Sequence, residues 1–144
     1  MPDRPAISIL LPVFDAADTL PACLHSVARQ TLCDWECVVV DDGSSDASRT
    51  IARRAARDDE RIRVIETPHR GLVPALNTGI DHCRGAFVAR MDADDLMHRE
   101  RLEHQVAMLA AEPALAGVGS RVRLFPRRLL TGGMRSYERW INGM

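Results

Sequence analysis

The sequence is most informative first for what it lacks. After its first apolar stretch the chain reads Pro12-Val13-Phe14-Asp15-Ala16-Ala17. No glycine there lets the backbone approach a pyrophosphate, which excludes a Rossmann dinucleotide site. There is no GxxxxGK[ST] run and no Walker-type lysine, which excludes a P-loop, so a bound diphosphate would need its charge neutralised by metal. No segment approaches the ~18 apolar residues that cross a bilayer. The start, Met1-Pro2-Asp3-Arg4-Pro5, and the stretch after it, interrupted by Ser8 and Pro12, lack the cleavage site of a secretory leader. The expectation is a cytoplasmic protein, free or peripheral to the inner face of the membrane.

The four cysteines, Cys23, Cys33, Cys37 and Cys83, form no paired CxxC pattern. Cys33 and Cys37 could lie close together, but zinc would need further ligands nearby, and buried thiols in a reducing compartment fit better. Nineteen basic against 20 acidic side chains give a formal charge of −1, which argues against a nucleic-acid-coating protein but not against a local phosphate site. At 144 residues and 46% hydrophobic the chain is the size of one domain with a sizeable core.

What is present alternates. Ile7-Ser8-Ile9-Leu10-Leu11 reads as a strand covered on both faces and ended by Pro12. Leu20, Leu24 and Val27 recur at helical spacing behind a cap at Asp18 or Thr19. Residues 35–40 form the second strand, and Ser45 or Asp46 caps a helix with Ile51, Ala52 and Ala55 on one face. Its other face (Arg49, Arg53, Arg54, Arg57) reads as solvated surface. Residues 62–65 give a third strand. Gly71 opens a helix with Leu72, Leu76 and Ile80 on its buried side. A fourth strand covers 86–91, a longer helix about 99–111 carries Leu102, Val106 and Leu109, and residues 118–124 suggest a further strand. This βαβα order predicts a mainly parallel sheet with helices on both faces. The tail differs: Tyr137, Trp140 and Ile141 form a short amphipathic piece that docks on this same domain or meets a neighbour outside this sequence.

Two acidic clusters follow apolar runs. Val38-Val39-Val40 leads into Asp41-Asp42-Gly43-Ser44-Ser45-Asp46, and Phe87 to Met91 leads into Asp92-Ala93-Asp94-Asp95. In open α/β sheets, ligands bind beyond the carboxyl ends of the strands. Residues i and i+2 on an extended segment share a side, so Asp92 and Asp94 would converge on one point, with Asp95 free to hold the turn or cap a helix. Caps and turn formers on an exposed loop are the alternative. Since hard cations take oxygen ligands, Mg²⁺ or Mn²⁺ with a phosphate is the favoured reading. DDGSSD is also good turn chemistry, yet Asp42 is placed to accept from a nucleobase N–H or a ribose hydroxyl. His98, close behind the DxD, and His104 read as surface residues.

The runs at residues 8–15, Ser26-Val27, Gln30-Thr31, residues 38–46, residues 71–79 and 91–95, in that order, resemble the inverting family 2 glycosyltransferases of GT-A fold. The resemblance covers about residues 6–110. It implies a Rossmann-like α/β/α sandwich, a nucleotide-sugar donor (commonly a UDP-sugar), Mg²⁺ or Mn²⁺, and a hydroxyl acceptor on a glycan, lipid or small molecule, as in cell-envelope polysaccharide synthesis. By the same resemblance Pro12, Val13 and Phe14 would line the base pocket and Asp42 would bond the base. Asp92, with Ala93 beside it, would meet the ribose or a metal-bound water. Asp94, with Asp92, would hold the metal bridging the phosphates, and Arg70 and Asn77 would contact the donor.

An inverting transferase needs a general base. In this family an acid from the second half of the domain, often in an ED-type motif, provides it. After Asp95 the acids are Glu100, Glu103, Glu112 and Glu138, none in such a motif. The catalytic residue is therefore unassigned. The expectation is a truncated single domain over 1–144, with a donor-binding core at about 6–124 and a connector at 125–144 leading to an acceptor half. A non-catalytic nucleotide- and metal-binding module, an inactive remnant and a metal-dependent nucleotidyltransferase are the rivals.

Overall fold

Residues 35–41 are buried without exception, which only a strand with neighbours on both edges and cover on both faces allows. A computed structural model describes residues 4–143; residues 1–3, where the terminus was read for a leader, lie outside them. The strands are β1 (Ile7–Val13), β2 (Trp35–Asp41), β3 (Ile62–Glu66) and β4 (Phe87–Arg90). They form one parallel sheet in the order β3-β2-β1-β4, with Leu10 opposite Val38 on one side and Arg90 on the other. The connections reverse direction between β1 and β4, which is where such sheets open a crevice.

Helices α1 (Leu20–Ala28), α2 (Ser48–Asp58) and α4 (Arg101–Ala111) cover one face, and α3 (Leu72–His82) covers the other. The odd residues of β1 (Ile7, Ile9, Leu11, Val13) enter the larger core with Leu20, Ala52 and Leu102. Leu10, Val38, Val40 and Ala75 make the smaller one. A 3₁₀ turn at Arg127–Leu129 precedes α5 (Gly132–Asn142), whose Tyr137 and Trp140 remain largely exposed.

Several elements depart from the pattern reading. Pro12 does not end β1, which continues to Val13. Leu10 faces β4, giving its carbonyl to Met91 N, and Pro12 has the same parity. The β4 ladder stops at Leu10–Arg90, so no partner misses the absent N–H. Helix α4 starts at Arg101 rather than 99. On α3 it is Ala75 and Gly79 that meet the sheet, while Leu72 and Ile80 are 51% and 52% exposed. The helix lies so close that a side chain at 79 would strike Leu10 and Val40. Thr19 is the N-cap residue of α1, but its hydroxyl donates to Ala16 O instead of capping.

Residues 118–124 form no strand. At two positions α5 side chains take the place of a partner strand: Glu138 accepts from Leu124 N at 2.6 Å, and Asn142 brackets Val122 through both its N–H and C=O. Nor is the basic face of α2 simply solvated. Arg49 reaches Asp41 at 2.9 Å and Arg53 forks onto Glu66 at 2.6 and 2.9 Å, tying α2 to β2 and β3.

At the opposite end of the sheet, Glu36 is buried on β2. Its carboxylate accepts from Ser8 Oγ (2.7 Å), Arg84 N (2.6 Å), the Arg84 guanidinium (2.8 Å) and Arg63 (2.9 Å). Burial alone would raise this carboxyl, but the four hydrogen-bond donors outweigh it and hold it down at about 2. A carboxyl depressed in the fold stabilises it above the unfolded value and stops doing so as pH falls through the folded one. Wild type should therefore lose about 3 kcal/mol between pH 4.5 and 2 that Glu36→Gln does not lose. Urea unfolding across that range checks this, and parallel curves for the two proteins would refute it.

Candidate functional site

The carboxyl ends of β1, β2 and β4 carry the residues singled out above, and the loops that follow are clasped together. Asp15 has a φ of +45°, a conformation Asp tolerates better than most residues. Its carboxylate accepts from Ser45 N at 2.7 Å and from Asp46 N at 3.3 Å. In return, Asp15 N donates to Ser44 Oγ, Ala16 N to Ser48 Oγ and Ala17 N to Asp46 Oδ2. Asp46 also accepts from Ser48 N, the first residue of α2, whereas Ser45 is spent on Asp15 and caps nothing. DDGSSD is thus both turn chemistry and one half of a loop-to-loop clasp. The other half, Asp15, was not visible as such because its partners lie about thirty residues away.

That clasp presents Phe14. Pro12 and Val13 are buried, Val13 within the large core, while Phe14 is 47% exposed. Of the three, Phe14 alone presents its side chain to solvent at this end of β1. Asp42, 3% exposed, accepts from Arg70 N at 2.9 Å and Gly71 N at 2.8 Å, and His69 Nδ1 lies 2.9 Å from Oδ2. Burial would raise the Asp42 carboxyl, but these donors and the His69 charge bring it below the usual range, so it is ionised at neutral pH. Two glycines permit this arrangement. Gly43 has a φ of +74°, and a Cβ there would stand 2.7 Å from His69 N; Gly71 has a φ of +92°. Arg70 and Asn77 are exposed, and the Arg70 guanidinium forms no ion pair among the described residues.

The DxD does not lie on an extended segment. Strand β4 stops at Arg90, and Asp95 N donates to Asp92 O at 3.1 Å to close a turn. Asp92 is half-buried and pairs with Arg90 at 2.9 Å, Ala93 is buried, and Asp94 is exposed. Among the described residues no three His, Cys, Asp or Glu side chains converge on a metal position. The three carboxylates still act on their surroundings. The Asp95 carboxyl is raised by burial and then by Asp94 and Asp92. The Cys23 thiol, also raised first by burial and then by all three acids, is pushed up to about 12. That negative potential and an all-oxygen donor set suit a hard cation whose remaining ligands come from a phosphate. A cleft of about 740 Å³ opens beside the turn, between α4 and residues 119–125, lined in part by Asp95, Leu96, His98 and Met108.

Helix α1 and the residues just after it hold this turn and the start of α4 in place. Cys23 Sγ donates to Asp92 O at 3.5 Å and Ser26 Oγ accepts from Met97 N at 3.0 Å. Gln30 donates to His98 O at 2.8 Å and accepts from Leu102 N at 3.1 Å. Thr31 N donates to Arg99 O, and Thr31 Oγ1 donates to Glu103 at 2.6 Å. Ser26, Gln30 and Thr31 were noted above only as points of resemblance. Their role emerges from partners about seventy residues on.

Comparison with known proteins follows from this geometry. The sequence profile described as glycosyl transferase family 2 matches residues 8–142. The uncharacterized glycosyltransferase EpsJ of Bacillus subtilis is 42% identical over 91 residues, 63% of this chain and 26% of that protein. The UDP-Glc:alpha-D-GlcNAc-diphosphoundecaprenol beta-1,3-glucosyltransferase WfgD of Escherichia coli is 35% identical over 72% of this chain and 40% of its own length. The chain therefore spans well under half the length of either relative. Among solved structures, the mannosyltransferase PcManGT of Pyrobaculum calidifontis in complex with GDP-Man and Mn²⁺ superposes with a TM-score of 0.69 at 31% identity. That match covers 76% of this chain and 33% of that one. S. aureus TarS shares the fold at 23% identity and a TM-score of 0.70, over 84% of this chain and 38% of its own.

The α1 contacts generate a test. Gln30→Ala removes the acceptor of the buried Leu102 N–H and should cost about 1–3 kcal/mol, with faster amide exchange at Leu102. Gln30→Glu, which keeps that acceptor but loses the donor to His98 O, should fall between. Unchanged Leu102 exchange in Gln30→Ala would show that the bond does not hold the helix start.

Proposed function

The chain belongs to glycosyl transferase family 2, and from that premise we propose that it binds a nucleotide-sugar donor, a UDP-sugar in the first place, with Mg²⁺ or Mn²⁺. The observation that carries this reading is the alignment of Phe14, Asp42 and the Asp92–Asp95 turn at the carboxyl ends of β1, β2 and β4, around the reversal between β1 and β4. Phe14, next to the buried Pro12 and Val13, offers a face for the base. Asp42 offers an ionised acceptor for a base N–H; a carboxylate has about four lone-pair sites, so its bonds to Arg70 N and Gly71 N leave capacity. Asp92 and Ala93 border the ribose, Arg70 and Asn77 stand free for the donor, and Asp94 with Asp92 holds the cation. When bound, that cation neutralises the diphosphate and makes it a better leaving group. The GDP-Man and Mn²⁺ named with the P. calidifontis structure and the UDP-Glc in the name of the E. coli relative support this reading.

The whole protein would pass the sugar to an acceptor hydroxyl with inversion. Of the acids after Asp95, Glu138 is tied to Leu124 N and Arg127, Glu103 to Thr31 and Glu100 to Arg99, while Glu112 is exposed at the C-terminal end of α4, at the far end of that helix from the Asp92–Asp95 turn. None is a free base at the mouth of the site, so residues 6–124 act as the donor-binding core, residues 125–144 as the connector, and the base belongs to an acceptor-binding part. The same observation favours, as the second reading, a module that binds nucleotide and metal without turning the donor over. The lipid-linked acceptor in the E. coli relative's name suits cell-envelope glycan synthesis and work at the inner face of a membrane. No helix among the described residues is long and apolar enough to cross one.

Calorimetric titration of UDP should show binding with Mn²⁺ that EDTA abolishes and Asp94→Ala weakens at least about tenfold. A folded chain that binds none of UDP, GDP and dTDP would overturn the donor site. Bound donor that is never consumed by the full-length protein with an acceptor would leave the binding module as the better account.

A further inference from the structure

The proposed base position is taken by the protein itself. The His69 imidazole stacks on Phe14, with ring centroids 4.0 Å apart and planes 20° from parallel. Its Nδ1 lies 2.9 Å from Asp42 Oδ2 and 3.1 Å from Asp42 O. Both partners can only accept, so Nδ1 carries the proton whichever charge the ring bears. The histidine thus offers a flat face to Phe14 and an N–H to Asp42. A nucleobase with a ring N–H, such as uracil, thymine or guanine, would offer the same two features. A base cannot enter between rings only 4.0 Å apart, since a third aromatic layer needs the separation roughly doubled.

Resting on the donor-site reading above, we propose that His69 is a stand-in for the nucleobase: it fills the base position in the nucleotide-free protein and must leave Phe14 and Asp42 for a donor to bind. Only the side chain moves. The backbone on either side is fixed, because Arg70 N and Gly71 N are bonded to Asp42 and the turn at Gly43 packs against His69 N. Once His69 rotates out, Asp42 keeps both backbone donors and gains a free acceptor direction. The side chain is about half exposed, so its way out is into solvent and requires no other rearrangement. Filled in this way, Phe14 and the buried charge of Asp42 are never left bare. The consequence is a displacement cost that is the same for every nucleotide. His69 lowers affinity without altering the choice between bases, which is left to Asp42.

The test uses the full chain and two readouts. First, without nucleotide, the His69 ring protons should be shifted upfield by Phe14 and lose that shift in Phe14→Leu; an unshifted signal overturns the stack. Secondly, saturating UDP with Mg²⁺, which is diamagnetic, should return the wild-type signals toward free-imidazole positions. Calorimetry of His69→Ala should then give binding of UDP, dTDP and GDP that is tighter by one common factor, about tenfold. Weaker binding by His69→Ala, or UDP binding with the His69 signals unmoved, would show that the imidazole holds the base rather than standing in for it. A failure of every nucleotide to bind both proteins overturns the donor site, while the nucleotide-free spectrum judges the stack separately.

Discussion

One interior strand carries buried acid at both ends, and the elements around it supply the partners, Asp41 Oδ1 alone of these carboxylate oxygens having none among the described residues. Glu36 lies at one end of β2 and Asp41 and Asp42 at the other, all three essentially removed from water. A charge in that position is costly unless it is paired and hydrogen-bonded. Each finds a different set of partners: Ser8, Arg63 and Arg84 for Glu36, Arg49 for Asp41, and the backbone of residues 70 and 71 for Asp42. These bonds join β2 to β1, to β3, to the turn before β4, to α2 and to the start of α3. Hydrophobic burial brings the sheet together, but it is non-directional. The acids on β2 give the layers their alignment.

The two ends of the strand put this chemistry to different uses. At the Glu36 end the carboxylate is fully engaged by its donors and ties β2 to β1, β3 and the turn before β4. At the Asp42 end the bonds come from the backbone of a loop and a helix start and from the side chain of His69. The neighbouring acids of the DxD turn are less well compensated. Arg90 meets Asp92, and the Asp95 carboxyl is raised by its burial and its like-charged neighbours. Well-compensated charge thus lies at one end of the strands and less compensated charge at the other, as a site for a charged ligand needs.

Parts of this were legible in the residues. The four strands and the three helices that connect them, α1, α2 and α3, follow period and turn chemistry closely enough to give a parallel α/β sheet, and the acidic strand ends identify where a ligand belongs. The errors have physical causes. Pro12 reads as a strand terminator only if its missing N–H matters, and the short β4 leaves it facing nothing. Apolar spacing on α3 selects Leu72 and Ile80, but the close approach allowed by Gly79 brings smaller residues to the sheet. Residues 118–124 have strand-like composition, yet no strand among the described residues lies beside them, and Val122 and Leu124 bond the side chains of Asn142 and Glu138. The i, i+2 argument for the DxD presumed an extended chain that had already turned.

By itself, then, the sequence determined the alternation of elements, the larger hydrophobic core and the acids at the ends of β2 and β4, because periodicity and composition act over a few residues. Tertiary structure alone decided that Ser26, Gln30 and Thr31 hold the segment leading from the DxD turn into α4, that Asp15 clasps the loop after β2, and that His69 lies on Phe14 against Asp42. Each of these is a hydrogen bond or a stack between residues thirty to seventy positions apart. No local pattern records such a pair; only the strand order that brings β1, β2 and β4 side by side creates it.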